Sequence, residues 1–119
     1  MSELARRIVD AMHRDIWQFS RETQLHVAIS AILDRENILY LHEHVLDPKN
    51  RIDFYVPVGR LGIEAKVKGS QAQIERQLAR YCEQDAIDEL IVVSTKLYRY
   101  PEALCGKPVV SCPILRSIC

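Results

Sequence analysis

Arg51-Ile52-Asp53-Phe54-Tyr55-Val56-Pro57-Val58-Gly59-Arg60-Leu61-Gly62-Ile63-Glu64-Ala65-Lys66-Val67-Lys68 is the stretch whose pattern sets the fold. Apolar side chains recur at every second position on both sides of Gly59-Arg60, as in two half-buried strands joined by a turn. A two-residue loop at Gly59-Arg60 sets Val58 opposite Leu61, with cross-strand partners whose numbers add to 119. One face then receives Ile52, Phe54 and Val56 with Ile63, Ala65 and Val67. The other receives Asp53 and Tyr55 with Glu64, Lys66 and Lys68, so that Asp53 faces Lys66 directly and Glu64 on the diagonal. A three-residue loop would mix the two sets, and their clean separation selects the shorter loop.

Upstream the period is helical. Ser2 caps a first helix running to about Trp17, with Leu4, Ile8, Ala11, Met12, Ile16 and Phe19 on one side. A break near Ser20 opens a second helix, striped by Leu25, Ala28, Ile29, Ile32 and Leu33 and ending near Asn37. Ile38 to Val45 then reads as a strand closed by the turn Asp47-Pro48-Lys49-Asn50. Downstream, Ser70 and Gln73 form a capping box that starts a third helix with inner residues Ile74, Leu78, Tyr81 and Cys82. Leu90-Ile91-Val92-Val93 is apolar throughout, as in a strand buried in mid-sheet, and the helix before it serves as a crossover. Tyr98 to Leu104 reads as a loop or short helix, and Pro108 to Cys112 as an optional last strand. The fold expected is mixed α/β: a central mixed sheet of four to five strands flanked by helices, in the order α-α-β-β-β-α-β-(β). A single domain over residues 1–119 would comprise an amphipathic helix (1–19), a core (20–95) and an extension (96–119).

Size and composition agree with one domain. The chain has 119 residues and a mass of 13.7 kDa, 48% hydrophobic and 27% charged, enough to bury a core without disulfide or metal staples. No apolar run reaches the ~18 residues of a membrane span, and Met1 to Arg7 lacks a signal-peptide core, so a cytoplasmic, soluble protein with no membrane partner is expected. Cys82, Cys105, Cys112 and Cys119 include no C-x-x-C pair and read as free or buried thiols, not a zinc cluster. Sixteen basic residues balance sixteen acidic ones, yet the stretch from Lys49 to Arg80 carries seven basic against three acidic residues, a local +4. Such a distribution can present a positive surface to a polyanion while the whole remains neutral.

The chemistry concentrates on the hairpin. Two carboxylates on diagonal positions, Asp53 and Glu64, can reach one cation, and an open site of that kind suits Mg²⁺, which keeps waters and phosphate oxygens in its shell. Lys66, two residues beyond Glu64 and on its face, can orient a water or stabilise charge on a phosphate. The competing account is a solvated hairpin face with ordinary ion pairs, each contributing under ~1 kcal/mol. His42 and His44 share one side of their strand, as a metal pair would, but neither they nor His26 have a further ligand at a recognisable spacing.

Ile52-Asp53, Ile63-Glu64-Ala65-Lys66 and Gln77-x-x-x-Tyr81, in this order, resemble the PD-(D/E)XK nuclease superfamily with the Q-x-x-x-Y motif of RecB-type nucleases. The likeness covers about residues 20 to 95, and Ile52 stands where the family has proline. It implies a restriction-endonuclease-like core and Mg²⁺-dependent hydrolysis of nucleic-acid phosphodiesters, with Mn²⁺ able to substitute. By the same resemblance Asp53, Glu64 and the Ala65 carbonyl are metal ligands and Lys66 is the catalytic lysine. Glu22 fits the acid that the family adds from the preceding helix, although the helix dipole alone also explains an acid there. Gln77 and Tyr81, one helical turn apart, would face the site together; Tyr81 as plain core is the alternative, and Gln73 reads as a cap.

A chain this short leaves no room for a separate sequence-reading domain. The expected function is therefore a structure-directed DNA nuclease acting on junctions, flaps or ends in recombination, repair or defence, with RNA left open. Lys49, Arg51, Arg60, Lys68, Arg76 and Arg80 would contact phosphates, and the first helix offers a surface for a homodimer or, equally, a cover for its own sheet. The alternative is a catalytically inactive nuclease-fold module for nucleic-acid binding or assembly.

Overall fold

A computed structural model describes residues 1–96, 98, 99 and 101–115. Its elements are α1 (Glu3–His13), α2 (Glu22–Arg35), β1 (Leu41–Asp47), β2 (Asn50–Val56), a 3₁₀ turn (Pro57–Gly59), β3 (Leu61–Lys66), α3 (Gln71–Cys82), β4 (Glu89–Ser94), β5 (Ala103–Leu104) and β6 (Lys107–Pro113). The strands form one six-stranded mixed sheet in the order β1-β2-β3-β4-β6-β5. β3, β4 and β6 run parallel and the other pairs antiparallel, with α3 as the crossover from β3 to β4. The α/β class and element order follow the sequence pattern. The sheet is one strand wider than expected, because Ala103–Leu104 folds back on β6 instead of remaining a loop. Among the described residues, no helix is long and apolar enough to cross a membrane.

Local signals explain the helices. Ser2 caps α1 by accepting the Ala5 N–H at 3.0 Å. The helix ends at His13, short of Trp17, and the Trp17 indole donates to the freed Met12 carbonyl at 2.9 Å. The side chain of Gln24 reaches back to the N–H groups of Ser20 and Arg21 and starts α2. Ser70 and Gln73 close the expected capping box on α3.

Two cores sandwich the sheet. On one face α1 and α2 pack Ile8, Met12, Leu25, Ile29 and Leu33 against Phe54, Val56, Ile63, Ala65, Ile91 and Val93. The apolar stripe of α1 is thus consumed inside its own fold and is not left for a partner, except Ile16, which lies beyond the helix and is exposed. On the other face α3 packs Ile74, Leu78, Tyr81 and Cys82 against Ile52, Tyr55, Leu90 and Val92.

Three features of the hairpin differ from the sequence pattern. Pro57, Val58 and Gly59 make a 3₁₀ turn and Arg60 takes the left-handed conformation, φ 50°, so the pairs are Phe54 with Ile63, Tyr55 with Gly62 and Val56 with Leu61. Partner numbers add to 117, a slip of two, which preserves which residues share a face. Second, Glu43 has φ 52° and interrupts the β1–β2 ladder between His42–Phe54 and His44–Ile52. Side-chain direction inverts across that break. His42 stacks on Phe54 beneath α2, whereas His44 stacks on Tyr55 on the α3 side, so the two histidines do not share a face. Third, Ile52 enters the α3 core and not the Phe54 face, for the same reason.

Candidate active site

β2 and β3 bring Asp53 and Glu64 level with each other. The Asp53 N–H donates to Glu64 Oε1 at 3.2 Å, and the Ala65 N–H donates to Asp53 Oδ2 at 2.8 Å. Asp53 is therefore level with Glu64 and not with Lys66, as the slip of two requires. Its carboxylate leans toward α2, where His26 Nε2 lies 3.5 Å from Oδ2. Glu64 leans toward α3, and its Oε2 lies 3.1 Å from the Tyr81 hydroxyl and 3.6 Å from Lys66 Nζ. Each carboxylate is thus tied to the other's strand through a backbone N–H, Glu64 to Asp53 and Asp53 to Ala65.

Burial and charge separate their proton affinities. Glu64 is 2% exposed, and its desolvation together with the negative Asp53 pushes its carboxyl up to about 8, against the pull of Lys66. Burial also pushes Asp53 up, but hydrogen bonds from His26 and the Ala65 N–H outweigh it and hold Asp53 below its ordinary value. At neutral pH Asp53 is thus charged while Glu64 retains its proton. His26 is raised by its hydrogen bond to Asp53, against the lowering effect of burial.

The α3 residues complete the wall. Gln77 Nε2 donates to the Tyr81 oxygen at 3.0 Å, and the Tyr81 hydroxyl lies 2.8 Å from the Arg51 carbonyl. Tyr81 is buried in the α3 core, and its hydroxyl also touches Glu64. Burial and the neighbouring carboxylates raise its phenol far above the usual range. Gln73 is the cap it resembled. Glu22 is exposed in the first turn of α2; its charge reaches His26 and Tyr98 but makes no contact with Asp53 or Glu64.

A cavity of about 400 Å³ opens beside Lys66 and Gln77 and is lined also by Lys68, Arg76, Arg80 and Tyr98, with no acidic residue. Three of the six residues expected to contact phosphate therefore converge there. Lys49 and Arg51 line a shallower hollow at the β1–β2 turn, connected to α3 by the bond from Arg80 Nε to Asn50 Oδ1, 3.2 Å. Arg60 does not belong with them. It sits at the opposite end of β3 and pairs with Asp88 at 3.0 Å.

Sequence spacing missed His26 as a site residue. It stands on α2 and meets Asp53 only through the packing of helix on sheet, with no fixed offset along the chain to announce it. Burial pushes the thiols of Cys82 and Cys112 to about 11 and about 12, which leaves them protonated and poor nucleophiles; Cys119 lies outside the described residues.

Compared with protein-family models, curated proteins and solved structures, the chain matches none.

Proposed function

We propose that the protein is a metal-dependent nuclease that hydrolyses DNA phosphodiesters, with Asp53, Glu64 and Lys66 as its catalytic group. The observation that carries this reading is that backbone hydrogen bonds hold Asp53 and Glu64 level on neighbouring strands, with Lys66 Nζ 3.6 Å from Glu64 at the wall of a cavity lined by basic residues and no acidic one. Paired carboxyls in this state hold either a proton or a cation. The donor set, oxygen ligands only, fits a hard divalent ion such as Mg²⁺. Asp53 and Glu64 would hold it. The Ala65 carbonyl, of the residue whose N–H binds Asp53, would serve as a third donor.

When bound, the ion lowers the pKa of a coordinated water and polarises the phosphate. The chain's own groups do the rest. Lys66 orients the attacking water and offsets charge that develops on the phosphate. Tyr81, held by Gln77 and the Arg51 carbonyl, keeps Glu64 turned toward Asp53. Lys68, Arg76 and Arg80 grip neighbouring phosphates and hold the scissile bond over the carboxylates. Structure-directed cutting of junctions, flaps or ends, in recombination, repair or defence, is the form of this activity that we propose.

Branched, single-stranded and duplex DNA, incubated with Mg²⁺ or Mn²⁺, test the proposal. Wild type is expected to cut at least one of them, and Asp53→Ala and Lys66→Ala to lose at least a hundredfold in rate. Binding without turnover would instead identify an inactive module, and variants as active as wild type would remove these residues from catalysis.

A further inference from the structure

The side of Asp53 away from Glu64 holds a second constellation that the nuclease reading does not use. His26 Nδ1 lies 2.9 Å from His42 Nε2, and one carboxylate oxygen of Glu43 joins them so that all three ligand atoms lie within 4.8 Å of one another. We infer that His26, His42 and Glu43 form a binding site for a zinc-class transition-metal ion.

Three features support it independently of the nuclease reading. The first is backbone geometry. Consecutive residues of a regular strand point to opposite faces, so His42 and Glu43 could not ordinarily serve one ion. The left-handed conformation of Glu43, φ 52°, removes that obstacle and turns both side chains to the α2 side. The second is ring orientation. Phe54 stacks with His42 at 4.8 Å and contacts His26 at 5.3 Å, holding both imidazoles in place. His26 Nε2 faces the Asp53 carboxylate, which fixes the tautomer with its proton on Nε2 and leaves the Nδ1 lone pair directed at His42. A carboxylate–histidine pair of this kind is the usual support behind a metal-bound imidazole. The third is access. A cavity of about 430 Å³ between α2 and β1 opens directly onto His26, His42 and Glu43.

Two imidazoles and one carboxylate suit Zn²⁺ or Co²⁺ better than Mg²⁺, and a water from the cavity completes a tetrahedron. Ligand bonds of ~2.0–2.2 Å set tetrahedral ligand atoms about 3.3–3.6 Å apart, so the two imidazole nitrogens, 2.9 Å apart, open slightly and the longest separation, within 4.8 Å, closes. Because Asp53 orients His26, the ion would also steady the carboxylate that the catalytic group shares.

Zn²⁺ titration and the visible spectrum of added Co²⁺ test this on the full chain. Wild type is expected to bind one ion per chain, with the intense absorption of tetrahedral Co²⁺. His42→Gln and Glu43→Gln, both at exposed positions, should weaken Zn²⁺ binding at least tenfold with an unchanged circular-dichroism spectrum. Glu64→Gln, which alters only the carboxylate pair, should leave Zn²⁺ affinity as in wild type. Absence of Zn²⁺ binding by wild type, or equal affinity in the His42 and Glu43 variants, would overturn the inference. So would loss of Zn²⁺ in Glu64→Gln, which would locate the ion at the carboxylate pair.

Discussion

Raising the pH of the metal-free protein from 5 to 9 should destabilise it, and the Glu64 carboxyl supplies most of the effect. Its folded pKa, about 8, lies above the ordinary 4.5. A group raised in the folded state contributes stability that is complete below its unfolded value and is lost as the pH climbs through the folded one. The window is therefore pH 4.5 to about 8. His26 is also raised and acts with the same sign above 6.5, whereas Asp53 is lowered, so its contribution is complete in this range and is lost only as pH falls below 3.8. At about 1.4 kcal/mol per pH unit the loss amounts to roughly 2–5 kcal/mol. For a domain of this size that is a fall in Tm on the order of 10 °C. Urea melts in EDTA at pH 5, 7 and 9 read it directly. Glu64→Gln replaces the titrating group by a neutral one of the same shape, and its melts should show a much flatter pH dependence. Equal slopes in wild type and variant, or a wild type that gains stability toward pH 9, would refute a Glu64 carboxyl that stays protonated in the fold.

Other consequences follow from single contacts. Tyr81→Phe removes the hydroxyl that touches the Arg51 carbonyl and Glu64, and should cost about 1–3 kcal/mol in urea denaturation. Gly62→Ala would drive a methyl group into Ile52 and Leu90, and should destabilise by about 1–3 kcal/mol while leaving the element order intact by circular dichroism. Lys68→Ala, Arg76→Ala and Arg80→Ala should each weaken DNA binding and lower the slope of log affinity against log salt by about 0.9 or less, while Arg60→Ala, paired to Asp88 at the far end of β3, should change neither.

How much of this the chain announces depends on whether the signal is local. The change of period from 3.6 to 2 after Asn37, the Ser70 and Gln73 cap and the apolar run at Leu90 are local, and they give the element order. The faces of Phe54, Val56, Ile63 and Ala65 survive the wrong loop because a slip of two keeps parity. The loop itself misleads because the left-handed residue is Arg60, not Gly59. Asp53, Glu64 and Lys66 are legible from alternation alone. Their geometry is not, since the break at Glu43 that turns Ile52 over and splits His42 from His44 has no glycine to mark it. The contact of His26 with Asp53 arises when α2 lands on the sheet, and no spacing along the chain encodes it.

Single-turnover cleavage of DNA as a function of Mg²⁺ concentration, for wild type beside Glu64→Gln, bears most directly on the role of the carboxylate pair. The account predicts a rate that rises with Mg²⁺ and saturates in wild type, vanishes in EDTA, and is at least a hundredfold lower in Glu64→Gln at every concentration. A wild type that leaves all DNA intact, or a variant whose rate follows the same curve, would contradict it.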